Sequence, residues 1–124
     1  MEEMKMGLDQ YLMWKETDDS EPELIFQWRK HPNLHGFMTQ EWLRLNPTKN
    51  ADDFNCTPLE LTKEMLDRLD ACIHPANPGS GLPETEGFFF GESGGKYDDQ
   101  DRKMLEFCRG ALEKGQRVAY DSWW

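Results

Sequence analysis

The chain has 124 residues and carries 14 Lys and Arg against 24 Asp and Glu, a formal net charge of −10. That length is one ordinary domain, long enough to bury roughly two-thirds of its unfolded surface. Five Trp, seven Phe and three Tyr argue against a disordered acidic chain, and the charge argues against a general nucleic-acid binder or a membrane-surface protein, both of which need positive fields.

Met1 to Lys5 reads as a loose, charged extension, with no N-terminal signal pattern. From Gly7 to Lys15, Leu8, Leu12 and Trp14 share one face while Asp9, Tyr11 and Met13 take the other. This is the period of a strand. Glu16 to Glu23 is a polar turn, after which Leu24, Phe26 and Trp28 alternate with Ile25, Gln27 and Arg29. A hairpin of two strands is expected. His31-Pro32 changes the period, because proline suits the first position of a helix. Leu34, Phe37, Met38, Trp42 and Leu45 then mark one helical face, ended by Asn46-Pro47.

Asp53 to Leu61 reads as a short strand that Pro58 pushes to an edge. Thr62 is the N-cap of a helix with Met65, Leu66, Leu69, Cys72 and Ile73 on one stripe. His74 to Glu86 is a Pro- and Gly-rich internal loop. Gly87-Phe88-Phe89-Phe90-Gly91 reads as a buried strand, and Glu92 to Gln100 as a Gly- and Asp-rich loop. Arg102 to Lys114 is a helix with Met104, Leu105, Cys108, Ala111 and Leu112 inward, stopped by Gly115. Arg117 to Trp124 is a last strand or docked tail. The expected order is β-β-α-β-α-β-α-β, a single α+β domain with a small, mostly antiparallel sheet and three packed helices. No apolar run approaches the ~18 residues of a membrane span. Cys56, Cys72 and Cys108 cannot all pair within one chain, which suits a reduced, cytoplasmic protein.

Four stretches carry a family likeness: Gly7-Leu8-Asp9-x-Tyr11-Leu12; Trp28-Arg29-Lys30-His31-x-x-Leu34-His35-x-Phe37; Gly87-Phe88-Phe89-Phe90-Gly91; and Ser122-Trp123. In this order and spacing the chain resembles a family of small bacteriophage and prophage proteins, over nearly its whole length from Met6. It departs from the family in a short hairpin at Thr17 to Pro22, in Gln27 where an aromatic is usual, and in its Trp-Trp end. The resemblance implies a phage accessory protein acting in the host cell and supplies no reaction.

The sharpest constellation is Trp28-Arg29-Lys30 with His31 and His35. Two adjacent cations stand where a strand ends and a helix begins, and a helix N-terminus adds free N–H groups and a positive dipole end. Together they make a phosphate or carboxylate site, with Trp28 stacking on a base or capping the pocket, Phe89 lining it, and His31 and His35 facing one ligand at i, i+4. The plainer alternative is that Arg29 and Lys30 neutralise the acidic turn and Trp28 belongs to the core. Metal ligation is not expected, because neither Cys-x2-Cys nor His-Glu-x-x-His occurs. Gly91-Glu92-Ser93-Gly94-Gly95 matches a nucleophile elbow by letter, but no His follows Ser93.

These residues, set in the phage context that the resemblance implies, lead to three expected functions. The first is a phage counter-defence protein that sequesters a small phosphorylated, nucleotide-type ligand without turnover. The second is an acidic inhibitor of a host defence protein, a nuclease or CRISPR effector, with Asp98, Asp99 and Asp101 on its partner face. The third is a small phosphoester hydrolase using His35 with Asp9 or Glu92. Binding is placed ahead of catalysis because no assembled catalytic set is legible. No cofactor, membrane contact or direct DNA binding is expected, and by analogy with sponge-like proteins a homo-oligomer is one expectation.

Overall fold

The computed structural model describes residues 8–73, 82 and 97–124. They form an α+β domain of a four-stranded antiparallel sheet and three helices. Strands β1 (Asp9–Lys15) and β2 (Glu23–Arg29) make the expected hairpin. Helix α1 (Pro32–Leu45) follows, then a 3-10 turn (Ala51–Phe54), β3 (Leu59–Glu60), α2 (Lys63–Ile73), α3 (Asp98–Glu113) and β4 (Arg117–Trp123). The sheet order is β2-β1-β4-β3, so the last strand lies in the middle beside the first.

The local chemistry accounts for most boundaries. Pro32 opens α1 with His31 as its N-cap, and Asn46 closes it with bonds to the carbonyls of Trp42 and Leu43. The Thr62 hydroxyl accepts the Met65 N–H at the start of α2. Gly115 at φ 75° ends α3, its N–H on the Leu112 carbonyl and that of Gln116 on Ala111. Those two bonds are a Schellman cap, which requires a left-handed residue and so favours glycine.

Two expectations are corrected. Asp53 to Leu61 is not a continuous strand: only Leu59 and Glu60 pair with β4. Asn50 and Asp53 form a reciprocal capping box that tightens the chain into the 3-10 turn, and Cys56 at φ 60° bends it away from extension. Helix α3 starts at Asp98 rather than Arg102. Asp98, Asp99 and Asp101 occupy its first turn, where carboxylates are favoured by the positive end of the helix dipole. The expected Gly87–Gly91 strand and most of the 74–86 loop lie outside the described residues.

Register separates the two faces of the sheet. Trp28, Gln10 and Ser122 form one cross-strand row; Phe26, Leu12, Tyr120 and Leu59 form the next. These side chains point toward the helices, and the core joins Leu12, Trp28, Val118 and Tyr120 to Leu34, Met38, Leu66, Leu69, Met104 and Cys108. On the opposite face Arg29, Asp9 and Trp123 align in a row, followed by Gln27, Tyr11 and Asp121. The two final tryptophans divide accordingly. Trp123 is 46% exposed, while Trp124 packs edge-on against His35 at 4.5 Å and is clamped by Asn55, which donates to its carbonyl and accepts its N–H. Among the described residues no helix is long and apolar enough to cross a membrane. All three cysteines are free; Cys108 is buried, and burial pushes its thiol up to about 12.

Candidate functional site

The β2–α1 junction gathers five of the six expected ligand-binding residues, and Phe89 lies outside the described residues. They do not share one open pocket. Trp28 faces the helices and is 1% exposed; Arg29, its neighbour, points to the other face of the sheet. Trp28 is therefore a core residue, as the plainer alternative has it, and in this conformation it cannot stack on a ligand. Its indole N–H donates to Asp101 Oδ1 at 3.0 Å.

The other oxygen of Asp101 binds His31. Asp101 Oδ2 lies 2.7 Å from His31 Nε2, and both side chains are buried. Gln10 holds the backbone of the same histidine at both ends, accepting its N–H at 2.9 Å and donating to its carbonyl at 3.0 Å. Tyr97 stacks on the His31 ring with centroids 4.6 Å apart and donates its hydroxyl to the Arg29 carbonyl. Gln100 donates to the Gln27 carbonyl at 2.7 Å.

His35 sits one turn further along α1, also against the sheet. Its Nδ1 shares a 2.9 Å hydrogen bond with the Tyr120 hydroxyl, and its ring stacks on Phe54 at 5.6 Å. Burial lowers its pKa from 6.5 to about 4, because the imidazolium would lose its hydration. Burial likewise raises the Tyr120 phenol, so the hydroxyl keeps its proton and can donate to the neutral ring. His31 and His35 thus share a helix face but serve different partners, and the expectation that both meet one ligand is corrected.

What remains at the surface is Arg29 and Lys30. The Arg29 side chain is 61% exposed and stands 3.9 Å from Asp9. Lys30 is exposed and makes no ion pair among the described residues. Its backbone adopts φ 60°, which is costly for a residue with a Cβ, and its N–H is tied to the Leu8 carbonyl at 2.8 Å. The first turn of α1 beside them contains no acidic side chain.

Two other expected sites are altered. Asp101 cannot belong to an acidic partner face, since it is fully buried; Asp99 remains exposed and pairs with Lys103 at 3.0 Å, and Asp98 is half-buried. The proposed hydrolytic pair is not assembled either. Asp9 lies on the outer face of the sheet beside Arg29, whereas His35 lies on α1 against the opposite face, and Glu92 is outside the described residues. Among the described residues no cluster of three His, Cys, Asp or Glu side chains is placed to hold a metal ion. A groove of about 380 Å³ between α2 and α3 is floored by Leu66 and Leu112 and lies away from these residues.

Gln10, Tyr97 and Tyr120 join the site beyond the residues expected from the sequence, and Asp101 is a buried tie to Trp28 and His31 rather than part of a partner face. A signal was present in the spacing. Asp101 precedes Met104, Leu105 and Cys108 by three, four and seven residues, which puts it on the buried stripe of α3. Gln10 falls between Leu8 and Leu12 on the inward positions of β1. A polar residue at an in-phase core position announces a buried hydrogen-bond network. Comparison with family models, with curated proteins and with solved structures finds no match.

Proposed function

We propose that this chain binds a small anionic ligand of the nucleotide type, without turnover, at the corner where Arg29 and Lys30 are exposed. In the setting that the phage resemblance implies, it is an accessory protein that counters a host defence in the host cytoplasm by sequestering a phosphorylated signal. The observation that carries the reading is the pair of adjacent, exposed cations on a tightly anchored backbone in a chain of net charge −10.

Three features support it. Arg29 offers a planar fork of donors suited to phosphate or carboxylate, and Lys30 adds a compact point charge. The positive end of the α1 dipole lies beside them with no local carboxylate in its first turn. Lys30 also holds a left-handed backbone that a non-glycine residue adopts at a cost; such conformations concentrate at functional sites. Trp28 and His31 lie beneath the corner as supports and His35 packs separately against Tyr120 and Phe54, so ligand contact falls to the two cations.

The test is to purify the protein from infected or signal-producing cells, denature it and identify what is released by mass spectrometry. A phosphorylated small molecule released by the wild type and absent from the Arg29→Ala/Lys30→Ala variant supports the reading. Equal release from a folded double variant removes the site assignment, and a copurified protein in its place points to the inhibitor class instead.

A further inference from the structure

One helical turn grips the entire segment that carries the two cations. Tyr97, Gln100 and Asp101, at the start of α3, reach the stretch Gln27 to His31 at four points. Gln100 holds the Gln27 carbonyl, Asp101 holds the Trp28 indole and the His31 ring, and Tyr97 holds the Arg29 carbonyl. The partners lie about 70 residues apart in sequence, with separations of 73, 73, 70 and 68. None of these bonds touches the guanidinium of Arg29 or the ammonium of Lys30. The fifth residue, Lys30, is fixed from the opposite side through Leu8.

We infer that the first turn of α3 is the positioning element of the anion site, with Asp101 as its central residue and Tyr97 and Gln100 as lateral clamps; this rests on the anion-binding reading above. The argument is one of pre-organisation. A corner with one residue in the left-handed region relaxes toward ordinary backbone unless its neighbours are held. Pinning Gln27, Trp28, Arg29 and His31 leaves only the two cationic heads free to move. Binding then costs side-chain ordering alone rather than the ordering of a loop. The same clamps also occupy the outward carbonyls of β2, an edge strand, at the point where an unpaired edge would otherwise be open.

Tyr97→Phe and Gln100→Ala remove one clamp each and leave both cations and the Asp101 network in place. The probe is inorganic pyrophosphate, titrated into the full chain and followed by isothermal calorimetry, with the backbone order parameter of the Lys30 amide measured in parallel without ligand. Each variant is expected to weaken pyrophosphate binding about 3- to 10-fold, the range of one lost hydrogen bond, with a small fall in the urea midpoint that leaves the protein fully folded without denaturant, and with a lowered Lys30 order parameter. Asp101→Asn is expected to weaken binding about tenfold or more where it folds, because it replaces one of the two carboxylate oxygens that hold Trp28 and His31 with an amide nitrogen.

If pyrophosphate binds the wild type, is lost in Arg29→Ala/Lys30→Ala, and binds Tyr97→Phe and Gln100→Ala as tightly as the wild type, the positioning role is overturned while the anion site stands. If pyrophosphate fails to bind the wild type, the anion reading fails for this probe, and the Lys30 amide alone decides the positioning role: a drop in order supports it, and no change overturns it.

Discussion

His31 Nε2 and Asp101 Oδ2 meet at 2.7 Å in the interior of the domain, 70 residues apart in sequence, with neither side chain more than 2% exposed. The pair joins the N-cap of α1 to the first turn of α3, and the second oxygen of the same carboxylate takes the indole N–H of Trp28. One carboxylate therefore ties β2, α1 and α3 together directly behind the exposed cations.

Asp101→Ala is expected to destabilise the domain by about 3–5 kcal/mol. Removing the carboxyl leaves the buried Trp28 indole and His31 ring without their partner, and that loss exceeds the net worth of the intact bonds. Asp101→Asn keeps the shape and one acceptor for Trp28, so its loss is smaller. Urea unfolding of the three proteins, followed by tryptophan fluorescence, measures the order.

His35 gives the domain a defined pH dependence. Its folded pKa of about 4 lies below the unfolded value of 6.5, so the unfolded chain binds the extra proton between those values. The stability it contributes is complete above pH 6.5 and is lost as pH falls toward 4, about 3 kcal/mol in total. His35→Gln retains a partner for the Tyr120 hydroxyl and removes the titration. The unfolding midpoint of the wild type should therefore fall more steeply from pH 6.5 to 4.5 than that of the variant.

Lys30→Gly separates stability from binding. Glycine adopts φ 60° without the Cβ penalty, which offsets the entropy it loses on folding, so stability is expected to hold or rise by up to about 1 kcal/mol. Anion binding is expected to fall because the charge is gone. Thermal melts and pyrophosphate titration on the same sample give both quantities, and a destabilised variant would count against the left-handed assignment at Lys30.

The three thiols should react in order of exposure. Cys56 is exposed, Cys72 is half-buried with its thiol raised by burial, and Cys108 is buried with its thiol near 12. A thiol-directed reagent at pH 8 is expected to label Cys56 first and Cys108 only on unfolding, which peptide mapping of timed aliquots reads directly.

The elements most legible in sequence are those with strong local punctuation. Pro32 and the Asn46-Pro47 pair bracket α1, and Gly115 marks the end of α3 through a conformation that glycine adopts readily. The start of α3 was hidden because three aspartates read as a loop by composition, whereas a helix N-terminus favours them. The break in the third strand was hidden because the capping box of Asn50 and Asp53 acts against the apolar alternation that follows. At the site, the adjacency of Arg29 and Lys30 was visible, but reading Trp28 into the same pocket ignored the alternation of β2 itself. Successive strand residues face opposite ways, so Trp28 joins Phe26 in the core and Arg29 joins Asp9 outside. The long-range bonds of Asp101 could be anticipated only as a need for some buried partner, since pairings 70 residues apart arise from packing and not from local pattern.

The central claim is that Arg29 and Lys30 form the anion site. The most direct test is a titration of 15N-labelled protein with inorganic pyrophosphate, comparing the wild type with Arg29→Ala/Lys30→Ala by amide chemical shifts. The account predicts saturable shifts centred on the amides of Arg29, Lys30 and His31 in the wild type and their disappearance in a folded double variant. Equal shifts in both proteins, or shifts centred elsewhere on the domain, would contradict it.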